Sequence, residues 1–292
     1  MRSTSPGGGH AVDTDGLREK RHAENFPVAL RVLPGRLRSD LRAVYGVART
    51  IDDLGDEADG DRTAQLIEFR DELAAAFDGA EPIRPVIRAL APAIRAGRVD
   101  FEPFRRLVEA NLQDQHVTRY PTYDDLRAYC RLSADPVGRI VLRLVGVADP
   151  AADELSDRVC TALQLLEHWQ DVGEDFRNGR IYVPQEDLAA FRVTEDDLDE
   201  DRASSRLRAL MRFEIDRAAA LLGSGAGLVG LLRGWGRVAV SGFIAGGMAT
   251  VDALRDTRGD VLSTYAKPRK ADVLAWLVWL QTSGANPERR SG

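Results

Sequence analysis

The chain has 292 residues, 44% of them hydrophobic, with 40 basic against 46 acidic side chains and a net charge of -6. That is apolar material for one large core or two smaller ones, and no basic stripe interleaved with aromatics invites nucleic acid as a partner. The two cysteines, Cys130 and Cys160, are too few for a disulfide framework, and without a signal peptide the expected compartment is a reducing cytoplasm.

Residues 1–15 (including Ser-Thr-Ser-Pro-Gly-Gly-Gly-His) and 284–292 have disordered compositions, leaving one expected domain over 16–283. Within it apolar residues recur at three and four. This predicts helices near 15–24, 37–55, 62–77, 84–95, 100–114, 123–133, 135–147, 152–176, 204–222, 227–256 and 270–282, punctuated by prolines such as Pro34, Pro82, Pro121, Pro150 and Pro184. The expected fold class is all-α.

In the helix at 37–55, Tyr45, Arg49, Asp52 and Asp56 fall at i, i+4, i+7 and i+11, one polar face, with Asp53 next to it. Leu41, Val44, Ala48, Ile51 and Leu54 form an apolar face beside it. The helix at 152–176 repeats the pattern: Gln164, Glu167, Asp171 and Asp175 on one side, Ala162, Leu165, Trp169, Val172 and Phe176 on another. Like charges four apart destabilise a helix by roughly 0.2 to 0.5 kcal/mol per pair, and a buried row costs more unless it is compensated. Nearby basic residues are too few to compensate them all. Oxygen donors without His or Cys at ligand spacing select a hard cation, and Mg²⁺ usually binds through a few carboxylates plus substrate phosphates. The stripes therefore point to a diphosphate substrate; the competing reading is a pair of solvated faces satisfied by Arg and Lys. Arg49 either holds diphosphate as a fork or pairs with Asp52 or Asp53. His168 points about 100° from the acidic row, as a packed or supporting histidine rather than a catalytic base.

Further along, the acidic run Thr194 to Asp201 is expected to open a helix, where its charges suit the dipole. Gly225-Ala226-Gly227-Leu228-Val229-Gly230 matches a dinucleotide fingerprint in form but follows a helical pattern, so it reads as a helix junction. The apolar stretch Gly227–Val251 is interrupted by Arg233 and Arg237 and is not expected to span a membrane. Tyr265 to Lys270, with Lys267 at its centre, is a basic cluster for phosphate or a solvated loop. Val273 to Leu280 is more apolar than a surface helix requires; it either packs on the core or makes peripheral membrane contact.

Four segments, His22-Ala23-Glu24-Asn25-Phe26-Pro27, Tyr45 to Glu57, Tyr129 to Gly138 and Gln164 to Tyr182, give residues 20–270 a resemblance to the squalene and phytoene synthase family of head-to-head isoprenyl diphosphate synthases. Glu24-Asn25-Phe26-Pro27 and His168-Trp169-Gln170-Asp171 resemble the bacterial hopanoid branch, which converts presqualene diphosphate to hydroxysqualene. The resemblance implies a single-domain isoprenoid synthase fold around a central cavity with a lipid tunnel. It also implies three Mg²⁺ ions held by Asp52, Asp56, Asp171 and Asp175, with Asp53 and Glu167 beside them. Tyr45 and Arg49 join the four aspartates as catalytic residues; His22, Phe26, Tyr129, Gln164, Arg180, Tyr182 and Lys267 would contact substrate. Phe26, Tyr45 and Tyr129 would face a carbocation, or serve as core aromatics.

Two positions depart from the family pattern: Glu167 and Asp135 stand where Asn is usual, each adding a negative charge. The expected activity is loss of diphosphate from presqualene diphosphate with water capture, in the cytoplasm; peripheral contact with the inner face of a membrane and hand-over from a partner synthase are left open by the sequence. One alternative is condensation of two prenyl diphosphates to presqualene diphosphate, squalene or phytoene. Another is a non-catalytic lipid-carrying or assembly relative, kept open by Glu167 and Asp135.

Overall fold

The computed structural model describes residues 33–282. His22, Phe26, the helix expected at 15–24 and both terminal segments lie outside the described residues. The backbone groups into two units, 1–39 and 40–292, and every site residue described below lies in the second.

The described residues form an all-α fold. In chain order the helices are α1 (Gly35–Asp56), α2 (Arg62–Phe77), α3 (Pro85–Arg95), α4 (Phe101–Asp114), α5 (Tyr123–Ser133), α6 (Asp135–Leu144) and α7 (Pro150–Gln170). After them come α8 (Val172–Arg177), α9 (Gln185–Phe191), a 3₁₀ turn (Glu195–Leu198), α10 (Ser205–Gly225), α11 (Leu228–Leu231), α12 (Gly234–Asp256) and α13 (Lys270–Thr282). Local chemistry sets many starts. The Asp61 side chain accepts from the Ala64 amide, Thr122 and Asp125 form a reciprocal capping box, and Asp149 caps a helix whose first residue is Pro150.

Helix α7 is the central post. Ala152, Val159, Ala162, Leu165, Leu166 and Trp169 are buried along it, and it packs most extensively on α10, then on α6 and α12. Gly225 lets the end of α10 come that close: a Cβ there would lie 2.7 Å from Val159 Cγ2 and 2.8 Å from the Leu155 carbonyl. Gly225–Gly230 is thus the junction from α10 to α11, as expected.

The structure corrects four expected boundaries. The helix at 152–176 is two helices, broken at Asp171 (φ -108°, ψ 13°), where carboxylates recur at three and four and repel one another. The helix at 227–256 is interrupted at Leu232–Arg233, followed by Gly234 at φ +56°, a conformation that glycine adopts without strain. The acidic run opens only the one-turn 3₁₀ helix Glu195–Leu198, because Thr194 and Asp197 close a capping box; α10 starts separately at its own Ser204 cap. Helix α9 was hidden because Pro184, read as punctuation, stands at its N-cap with Glu186 and Asp187 in its first turn.

By length and composition α12 could cross a membrane, but half of its most apolar window is buried inside the protein, as befits a core helix.

Candidate active site

The C-terminal half of α1 carries Tyr45, Arg49, Asp52, Asp53 and Asp56. Helix α4 docks against it through a contact that only glycine permits: a Cβ at Gly55 would sit 2.2 Å from Asn111 Oδ1. Asn111 Nδ2 donates to Asp52 Oδ1 at 3.3 Å, and Gln115 Nε2 donates to the Gly55 carbonyl at 3.0 Å. Asp52 is exposed at its surface, yet the protein crowded around it pushes its carboxyl up to about 6; the Asn111 hydrogen bond opposes this and the Asp56 charge adds to it.

The cations on this wall are engaged. Arg49 Nε lies 2.8 Å from Asp53 Oδ1 and its Nη2 lies 3.3 Å from Glu57, so the reading in which Arg49 pairs with its own stripe holds in this state. Tyr45 is 40% exposed one turn earlier on the same face. Arg180 reaches over from the segment after α8, its Nη2 3.0 Å from Asp56 Oδ1. That ion pair ties the region of the second acidic stripe to the first.

On the second wall, Asp175 is buried while Glu167, Asp171 and Gln164 are half-buried. His168 is buried too, with its ring stacked on Tyr182 at 3.6 Å between centroids, its Nε2 3.2 Å from Gln164 Nε2 and its Nδ1 3.9 Å from Asp175 Oδ2. It is a packed histidine that touches the stripe. Tyr182 continues into an aromatic group with Tyr129 at 5.9 Å and Tyr120 at 5.8 Å; Tyr120 and Tyr129 are 5.4 Å apart. Lys267 is exposed on a loop tied to the end of α7 by a hydrogen bond from Gln170 Nε2 to the Ala266 carbonyl.

The residues that sequence reasoning missed lie on α4 and just after it. Tyr129 Oη donates to Asp114 Oδ2 at 2.8 Å, and Asp114 Oδ1 is buried without a hydrogen bond. Burial pushes Asp114 up to about 6; Tyr129 and Arg180 pull it down, Asp56 pushes it further and His168 pulls it down. Asp114 therefore feels groups from both walls. Asn111, Asp114 and Gln115 stand three and four apart beyond the apolar positions Phe104, Leu107 and Val108, a polar patch on a core helix that could have signalled them.

Away from the cleft, Asp135 is buried, accepts a hydrogen bond from Thr161 Oγ1 at 2.8 Å and is pushed up to about 7, first by burial and then by Asp157. Near neutral pH much of it is the uncharged acid, which resembles the Asn expected there.

No group of three or more His, Cys, Asp or Glu is preassembled for a metal among the described residues. The donor chemistry nonetheless suits Mg²⁺. The donors are oxygens, they lie on two walls, and burial raises Asp52 and Asp114 by making their negative charge costly, a cost that a bound cation would offset.

The sequence profile described as squalene/phytoene synthase matches residues 19–273. A phytoene synthase of Arthrospira platensis is 34% identical over 213 residues, covering 68% of this chain and 69% of the relative. A hydroxysqualene synthase of Rhodopseudomonas palustris is 34% identical, covering 69% of each. Among solved structures, squalene synthase HpnC of Alicyclobacillus acidocaldarius superposes with a TM-score of 0.78 at 42% identity, covering 85% of this chain and 95% of that one. A dehydrosqualene synthase in complex with ligand superposes with a TM-score of 0.82 at 25% identity, covering 91% and 94%. With its motifs, its all-α fold and these matches together, the chain belongs to the squalene/phytoene synthase family of enzymes.

Proposed function

We propose that this enzyme converts presqualene diphosphate and water to hydroxysqualene and diphosphate, with Mg²⁺ held by Asp52, Asp56, Glu167, Asp171 and Asp175. The observation that supports the reading is the Arg180–Asp56 ion pair, which links the segment just after the second stripe, next to Tyr182, to the first stripe. The Glu24-Asn25-Phe26-Pro27 and His168-Trp169-Gln170-Asp171 motifs and the hydroxysqualene synthases among its relatives favour this product.

When bound, Mg²⁺ supplies Lewis-acid charge to the departing diphosphate. The chain's own residues do the rest. Arg49 and Arg180 exchange their carboxylate partners for diphosphate oxygens, so the carbon–oxygen bond breaks with its electron pair going to the leaving group. Tyr120, Tyr129 and Tyr182 present aromatic faces to the carbocation left behind, and buried Trp169 and Val172 belong to the apolar packing that excludes bulk water. One water forms the new carbon–oxygen bond. Its surplus proton passes to Tyr129 Oη, whose own proton moves along the existing hydrogen bond to Asp114.

The phytoene synthases among the relatives favour a second reading, condensation of two prenyl diphosphates. Product analysis separates the two. Purified enzyme with Mg²⁺ is offered presqualene diphosphate or farnesyl diphosphate; hydroxysqualene from the former alone supports the proposal, and condensation of the latter refutes it. No product from either, and no Mg²⁺-dependent thermal shift with pyrophosphate, would leave a non-catalytic relative.

A further inference from the structure

Helix α13 departs from the pattern of a helix on a protein surface. Its exposed positions, Ala271, Leu274, Ala275, Val278, Gln281 and Thr282, are spaced three or four apart and form one stripe. The middle of that stripe is apolar: Leu274 is 61% exposed and Val278 is 54% exposed. Rotation cannot hide it, because the other side is fixed to α12. Trp276 Nε1 donates to Asp252 Oδ2 at 2.7 Å, Gln281 Nε2 donates to Ser241 Oγ at 2.8 Å, and Leu280 is buried.

Next to the stripe lies the first turn of α12, where Trp235 and Val238 are exposed. Arg237 Nε donates to Gln281 Oε1 at 3.1 Å and joins the two parts. Basic residues stand at both ends: exposed Lys267 and Arg269 before α13, Lys270 at its first position, and exposed Arg233 before α12. The one carboxylate in α13, Asp272, is paired with Arg269 at 2.7 Å, and residues 227–251 contain two arginines and no acid in a chain of net charge -6. An apolar centre rimmed by cations complements an anionic lipid surface. A second copy docking through the same patch would bring basic rims together, which disfavours a two-fold interface.

We propose that α13 and the first turn of α12 dock this enzyme onto an anionic lipid surface, with Leu274, Val278, Trp235 and Val238 entering the acyl boundary and Lys270 and Arg233 meeting lipid phosphates. The proposal stands apart from the assigned chemistry, so either can fail alone.

The test uses the full chain and large unilamellar vesicles of phosphatidylcholine, with or without phosphatidylglycerol. The chain should sediment with the phosphatidylglycerol vesicles and much less with phosphatidylcholine alone, and the bound fraction should fall as salt rises. Three of the four tryptophans, Trp235, Trp276 and Trp279, lie on α13 or the first turn of α12, so the emission of the unmodified protein should shift to the blue when those vesicles are added. L274E/V278E should lower partitioning by about tenfold or more with an unchanged melting temperature, and R233E/K270E should weaken only the salt-sensitive part. Equal binding to neutral vesicles, no emission shift, or a dimer in light scattering that L274E/V278E dissolves would overturn the proposal.

Discussion

The two acidic stripes carry the same spacing of carboxylates and manage their charge in opposite ways. On α1 the helix is continuous, the carboxylates open toward solvent and arginines neutralise them, Arg49 on Asp53 and Glu57, Arg180 on Asp56. On α7 and α8 the helix breaks at Asp171, Asp175 is buried, and His168, stacked on Tyr182, lies beside it. The first stripe can exchange partners, and the second is held in place by packing. A ligand entering between them would meet one adjustable wall and one rigid wall.

The harshest way to break this contrast is to neutralise one carboxylate on each wall. Asp52→Asn and Asp171→Asn should each cut turnover by about 10²-fold or more, because each removes a carboxylate that, on the proposed reading, holds the Mg²⁺ whose charge compensates the departing diphosphate, while thermal melting stays within a few degrees. Unchanged turnover would remove the metal reading of the stripes. Asp114→Asn should lower turnover by about 10²-fold by removing the carboxylate that takes up the proton from Tyr129, and the pH dependence of kcat should lose its acidic limb. If kcat keeps that limb, Asp114 is only structural.

Gly55→Ala probes how the adjustable wall is built. The added methyl collides with Asn111, and overpacking of this kind costs about 1–3 kcal/mol, which for a chain of this size is roughly 2–4 °C of melting temperature per kcal/mol. No change in melting would mean that α4 is not locked to α1.

The smallest effect belongs to a carboxylate outside both walls. Asp135 is raised by burial, so the folded protein binds its proton more tightly than the unfolded chain, and its contribution to stability falls as pH rises from about 4 to about 7. Asp135→Asn should leave the melting temperature nearly unchanged at pH 5 and raise it by a few degrees at pH 8. A variant equally destabilised at both values would show that the site needs the acid itself.

The helical period made the fold legible, and the spacing of Asp52, Asp56, Asp171 and Asp175 made the two walls legible. What stayed hidden was set by contacts between distant segments. Asn111 and Asp114 sit on a helix whose pattern reads as core, and their role appears only once Gly55 brings α1 against α4 and Tyr129 turns toward Asp114. The break at Asp171 has neither Pro nor Gly at the residue itself, so no turn chemistry announced it. Spacing leaves Arg49 both roles, phosphate fork and partner within the stripe, because its Asp53 contact is a matter of side-chain conformation that no spacing fixes.

Arg180 and Arg49 leave the cleft balanced against itself at rest. On the proposed reading, diphosphate can take these guanidiniums only if something else attends to the carboxylates they abandon, and a metal ion can approach those carboxylates only if the guanidiniums have somewhere to go. Each ligand clears the way for the other. Linkage then requires that pyrophosphate raise the affinity for Mg²⁺ by the same factor as Mg²⁺ raises the affinity for pyrophosphate, with little binding of either alone. The ion pair between Asp56 and Arg180 would make the cleft a coincidence detector, open to its substrate only in the company of its metal.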